Sequence, residues 1–88
     1  MISNYRVLIT LKASIKLQEL SKPIRFSILS FLTYLETNPF ERGDQCLYSA
    51  EHAREYSMKA IRKRIITYYV DHGNKEIRVL DLRHIDQV

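Results

Sequence analysis

The sequence predicts an α+β fold in the order β-α-α-β-β-β, with two N-terminal helices packed on one face of a small antiparallel sheet. Three observations lead there. Ile24, Ile28, Phe31, Leu32 and Leu35 fall at i, i+4, i+7, i+8 and i+11, the stripe of an amphipathic helix. Three runs rich in tyrosine and β-branched residues fill positions 55–82, separated by short polar corners. The chain has 88 residues with only two glycines and two prolines, which leaves little room for long loops and predicts one domain over residues 1–88.

"YRVLITL" (residues 5–11) is a β-rich apolar run and reads as the first strand. In "KASIKLQELS" the residues Leu11, Ile15, Leu17 and Leu20 recur at roughly helical spacing, with Lys16 and Glu19 off that face; this is the first helix. Ser21 is a candidate N-cap for the second, and Pro23 sits in its first turn, where a missing N–H costs nothing. Asn38-Pro39 ends it, because a residue before proline avoids the α region. Residues 40–53 lack a clean period and read as a connection with one extended piece near residues 46–48. Residues 55–61 and 64–70 then form strands around an Arg62-Lys63 corner, and "DHGNK" turns the chain into a last strand at 77–82. Simple alternation in that strand puts Ile77 and Val79 on one face and Leu80, Leu82 and Arg78 on the other. Tyr68 and Tyr69 alternate in the same way, so one of them belongs to the core.

The net charge is +4 and unevenly placed. Residues 1–53 carry six Lys/Arg against five Asp/Glu, and residues 54–88 carry eight against five. A local basic excess on a sheet is the footprint of a polyanion binder or of a protein that meets an acidic partner. The single cysteine, Cys46, has no disulfide partner and no companions for a zinc site, so it reads as a half-buried small hydrophobe in a reducing compartment. The apolar run near the N-terminus is too short to span a bilayer, and no signal peptide is visible, so a cytoplasmic protein is expected. No cofactor or metal is expected.

With the element order in place, the chain resembles the RelE/ParE superfamily, the toxin half of bacterial type II toxin–antitoxin pairs. The resemblance covers nearly all of it: two N-terminal helices, "NPF" after the second, an arginine opening the middle strand in "KRIITYYVD", a short turn, and a last strand ending in "LRH". It implies one of two activities. RelE-like members are ribosome-dependent mRNA endonucleases (mRNA interferases); ParE-like members inhibit DNA gyrase without nuclease chemistry. Both imply a cognate antitoxin whose disordered segment wraps the basic surface, giving a hetero-oligomer.

Metal-free RNA cleavage uses the ribose 2′-OH as nucleophile. It needs a base for that proton, cations for the charge on phosphorus, and an acid for the leaving 5′-oxygen. By the resemblance, Arg64 contacts the scissile phosphate, for which a planar guanidinium is suited. Lys59 occupies a Lys/Arg position of nuclease members on the preceding strand, and His84 occupies the place of a terminal histidine that acts as general acid in some members. Arg54, Arg62, Lys63 and Arg83 are candidate phosphate contacts, and Tyr56 a candidate base-stacking ring. Glu51 and Glu55 precede Lys59 at a distance resembling a glutamate base in some members, though each also reads as a solvated carboxylate. The bland alternative for each cation is a solvated strand or turn residue. The nuclease pattern continues after its histidine with an Arg or Tyr, and it often has a glycine before that histidine. Here Ile85-Asp86-Gln87-Val88 follows, and Arg83 precedes. Those departures keep open the gyrase inhibitor, and also a family-fold protein acting only as a protein-binding module.

Overall fold

A computed structural model describes residues 5–85. Seven elements follow one another: β1 (Arg6–Ile9), α1 (Leu11–Gln18), α2 (Lys22–Thr37), β2 (Gln45–Ser49), β3 (Arg54–Ile61), β4 (Arg64–Asp71) and β5 (Glu76–His84). The strands form one sheet in the order β1-β5-β4-β3-β2.

Two expectations need correction here. The stretch after α2 holds a full strand, β2, so the order is β-α-α-β-β-β-β. Its burial is irregular because it is an edge strand, with Leu47 and Tyr48 both exposed, and so the period-2 signal is absent from the sequence. The sheet is also mixed. β2, β3, β4 and β5 pair antiparallel, whereas β1 runs parallel to β5, with Arg6 opposite Glu76 and Ile9 opposite Val79. The α1–α2 hairpin carries the chain from β1 at one edge to β2 at the other, and three antiparallel turns then bring β5 back beside β1 in the parallel sense.

Local chemistry explains the helices. Thr10 caps α1, its hydroxyl accepting from the Ala13 N–H at 3.2 Å. α2 begins after Ser21 with proline in its first turn and ends at Asn38. Its predicted stripe is the buried one: Ile28, Leu32 and Leu35 are in the core, with Ile24 and Phe31 packed against it. α1 is different. Its buried residues are Ala13 and Leu17, while Leu11 and Ile15 remain outside, because the short helix meets β5 on a narrow face where only a small residue and one leucine fit. Among the described residues no helix is long and apolar enough to cross a membrane.

The sheet's contribution to the core is Ile66, Tyr68, Ile77, Val79 and Leu82. Leu82 was expected on the face opposite Ile77 and Val79. It joins them because the register shifts: Thr67 pairs with Asp81, but Tyr68 pairs with Val79, leaving Leu80 as an extra residue. A β-bulge of this kind reverses the alternation beyond it. Tyr68 is the core tyrosine; its hydroxyl donates to the Glu41 carbonyl at 3.2 Å, and burial pushes its pKa up to about 12. Gly43, at φ +71°, lies so close to β3 that a Cβ there would meet the Met58 carbonyl oxygen at 2.7 Å.

Candidate active site

Arg62 and Lys63 form the two-residue corner between β3 and β4, and both take positive φ (48° and 64°). A tight hairpin with the strands' own twist demands that conformation, usually met by Asn-Gly. Both cations are exposed at this tip, and Arg62 Nε donates to Ser27 Oγ of α2 at 3.0 Å. The backbone around the tip is closed by the Ile85 N–H donating to the Lys63 carbonyl at 2.8 Å.

Arg64 opens β4 directly opposite Ile61 on one side and His84 on the other. Arg64 and His84 are thus cross-strand partners, the closest relation two residues on neighbouring strands can have. Arg64 Nη1 donates to the Arg62 carbonyl at 3.1 Å, which orients the guanidinium along the hairpin. A cleft of about 370 Å³ opens beside this pair. The strands contribute Arg64, Leu82, Arg83 and His84 to it, and the end of α1 contributes Lys16, Glu19 and Leu20. β1 pairs only with residues Glu76 to Val79 of β5, so beyond them the β5 edge is free of a strand neighbour and the cleft can form there. Three cations against one carboxylate make the cleft electropositive. The Arg83 Nε is buried with no hydrogen-bond acceptor among the described residues.

Lys59 lies opposite Ile66, and by the β3–β4 register it shares a face with Ile61 and Arg64. That face is the one packed by the helices. Lys59 and Arg64 therefore lie on the helix-packed face rather than on the open one, as strand alternation from Ile66 and Tyr68 dictates. Lys59 does not line the cleft. Its ammonium is held by Asp44 at 3.2 Å and stands 5.7 Å from the Phe31 ring centre. Asp44 also accepts from the Ala60 N–H at 2.9 Å; that bond first, then the one from Lys59, holds its carboxyl below the usual carboxylate range.

Arg54 and Tyr56 belong elsewhere. Their alternation puts them on the sheet's other face, where the Arg54 guanidinium sits 4.2 Å from the centre of the Tyr69 ring and Tyr56 meets Tyr69 edge-on at 5.7 Å. Arg54 lies seven positions along the strand from Ile61, the partner of Arg64, a span of roughly 23 Å at the usual rise. A single phosphate cannot touch Arg54 and Arg64 together. Glu55 is committed to an ion pair with Arg42, and Glu51 is exposed beside His52. Cys46 is half-buried, its thiol donating to the Arg42 carbonyl at 3.1 Å. Asp86 lies outside the described residues. Among the described residues no three His, Cys, Asp or Glu side chains converge as metal ligands would.

The predicted residues therefore divide. Arg64 and His84 are cross-strand partners on the helix-packed face, and Arg83, which alternation turns to the other face of β5, lines the same cleft, with Arg62 and Lys63 at the adjoining tip. Lys59 is on the same face but tied to Asp44. Arg54 and Tyr56 are on the far face. Sequence reasoning missed Lys16, Glu19 and Asp44. Lys12 and Lys16 at i, i+4 on α1 were the available signal for a basic helix face; nothing in the spacing links either Asp44 to Lys59 or Glu19 to His84.

No family model matches the chain, and no curated protein matches it. Solved structures do. A chain of the archaeal RelE–RelB complex from Pyrococcus horikoshii OT3 superposes with a TM-score of 0.80 at 24% identity, over 96% of this chain and 98% of that one. A chain of the toxin–antitoxin complex RelBE2 from Mycobacterium tuberculosis superposes with a TM-score of 0.70 at 17% identity, over 91% and 96%. Both likenesses run almost the full length of each chain. From its topology and these superpositions together, the protein has a RelE-like fold.

Proposed function

We propose that this chain is the toxin of a type II toxin–antitoxin pair and that it cuts mRNA on the ribosome by a metal-free, 2′-OH-mediated reaction. The observation that carries the reading is the cross-strand pair of Arg64 and His84 at the mouth of one electropositive cleft that also receives Arg83. In this scheme Arg64 and Arg83 offset the charge that builds on phosphorus. The 2′-oxygen attacks phosphorus as its proton passes to Glu19, the one carboxylate that lines the cleft. The bond from phosphorus to the 5′-oxygen breaks, and His84 donates a proton to that oxygen. The products are a 2′,3′-cyclic phosphate and a free 5′-hydroxyl. Lys59, on the same face, adds positive potential rather than a direct contact, since Asp44 holds it. Arg62 and Lys63 at the hairpin tip contact flanking phosphates.

The partnership with an antitoxin is supported by the two neighbours, whose crystals contain toxin and antitoxin together. Exposed apolar side chains on both helices, Leu11, Ile15 and Phe26 among them, fit coverage by such a partner.

The test is a cell-free translation reaction read for transcript ends and for protein output. Wild type should cut transcripts within codons; Arg64→Ala and His84→Ala should each lower cutting by two orders of magnitude or more, and Glu19→Gln by about 10²-fold. Intact transcripts at high protein concentration would refute the nuclease reading, and inhibition of gyrase supercoiling by the same protein would put the ParE-like activity in its place.

A further inference from the structure

Lys16 occupies an unusual position. It is near the end of α1, one turn beyond Lys12, and both ammonium groups reach the same carboxylate, Asp81, at 3.2 and 3.8 Å. Asp81 is the residue that follows the bulge at Leu80, and the Thr10 hydroxyl donates to the Leu80 carbonyl at 3.1 Å, pinning the bulge to the start of α1. Bulges re-aim the side chains beside them, and here the result is an acid presented to a helix. The pair is partly withdrawn from water, with Asp81 at 26% and Lys16 at 38% side-chain exposure. Burial alone would raise the Asp81 pKa, yet it lies below the ordinary value, chiefly because Lys16 donates to it.

Lys16 also lines the cleft that holds Arg64, Arg83 and His84, whereas Asp81 does not. An ammonium has three donors. One is spent on Asp81, and the others are available to an acceptor in the cleft. On the strand side of that cleft is Arg83, whose Nε is buried with no acceptor among the described residues. Two cationic donors from different elements thus border one space, one lacking an acceptor at a buried nitrogen and the other shared with a counter-ion that stands outside it.

We propose that Lys16 and Arg83 form a second phosphate subsite for RNA, beside the phosphate held by Arg64, and that Asp81 is the built-in counter-ion that competes with RNA for Lys16. The proposal rests on the RNA-cutting reading for its ligand, and adds a residue from α1 that sets how tightly the strand is held. With the subsite empty, Asp81 keeps Lys16 in place. When RNA enters, its phosphate takes over part of that charge, so binding is weaker than it would be if Asp81 were neutral.

The experiment is fluorescence anisotropy of a labelled single-stranded oligoribonucleotide of about ten nucleotides, titrated with the full chain from about 50 to 200 mM KCl, where the slope of log K against log salt counts phosphate contacts. Lys16→Met, which keeps the aliphatic stem, should weaken binding and make the slope shallower by about 0.7, the value for one contact to a single strand. Asp81→Asn should tighten binding several-fold at every salt concentration. In the double variant most of that gain should vanish, because its route runs through Lys16. Thermal melts and far-ultraviolet circular dichroism verify the fold of each variant, and Lys16→Gln serves in place of Lys16→Met if the latter melts early. A wild-type slope in both Lys16 variants, a full Asp81→Asn gain in the double variant, or no RNA binding by the wild-type chain each overturns the subsite. Transcript cleavage measured on the same preparations separates the two ideas. Cutting with unchanged slopes removes the subsite and leaves the nuclease, whereas the expected slopes without cutting remove the nuclease and leave the subsite.

Discussion

Leu80 and Leu82 look equivalent in "RVLDLRH", and replacing each by alanine should show that they are not. Leu82 is 3% exposed and packs with Ile77, Val79 and Ile66 in the core, whereas Leu80 is half-buried at the bulge on the other face. Truncating a buried leucine removes its transfer free energy and leaves a cavity, about 3 kcal/mol in total. Leu80→Ala gives up part of an already partial burial and should cost under about 1 kcal/mol. The whole domain is held by little: at roughly 0.05–0.15 kcal/mol per residue, 88 residues imply about 4–13 kcal/mol. Leu82→Ala should therefore remove between a quarter and three quarters of the stability and lower Tm by about 12–24 °C, given about 4–8 °C per kcal/mol at this size. Urea titration followed by circular dichroism at 222 nm is the assay; Cm should fall with m unchanged for Leu82→Ala and barely move for Leu80→Ala. Equal losses in the two variants, or a larger loss for Leu80→Ala, would show that the strand runs without the bulge and would refute the register on which the Asp81–Lys16 contact depends.

Two further outcomes follow from single contacts. Gly43→Ala should cost about 1–3 kcal/mol, since it combines a left-handed φ with a clash against a backbone carbonyl that cannot swing away; a Tm within a degree or two of wild type would contradict this. Glu76 is buried beneath Arg6 and Arg78, whose hydrogen bonds, Arg6 first, hold its pKa below the ordinary 4.5. The unfolded chain therefore binds this proton more readily, so the stability Glu76 confers is complete above pH 4.5 and is lost as pH falls toward the lower native value. Urea midpoints measured down through that range should decline less steeply in Glu76→Gln than in wild type; parallel declines would mean that Glu76 is not among the groups responsible.

Features that depend only on neighbours along the chain were legible before any fold was known. The α2 stripe from Ile24 to Leu35, the proline in its first turn and the Asn38-Pro39 stop are all local in origin, and all are found in place. So is the Arg62-Lys63 corner, because two residues between two β-rich runs leave a hairpin little choice. That corner also put Arg64 at a strand opening, and the run to "LRH" put His84 at a strand end, although only the register made them partners. Long-range relations came only with the folded arrangement. β1 lies parallel to β5 because the α1–α2 hairpin carries the chain to the far edge and three antiparallel turns bring it back, and a parallel pairing leaves no mark on the spacing of either strand. β2 became a strand by pairing with β3 at an edge, where one-sided burial is too weak to imprint a period. The Leu80 bulge moved Leu82 into the core and is accompanied by the contact between Asp81 and α1, undoing an alternation that the local sequence states plainly. The candidate cleft is of the same kind. Lys16, Glu19, Arg64, Arg83 and His84 come from two ends of the chain, and periodicity, a property of one segment at a time, cannot show that α1 closes over the free edge of β5.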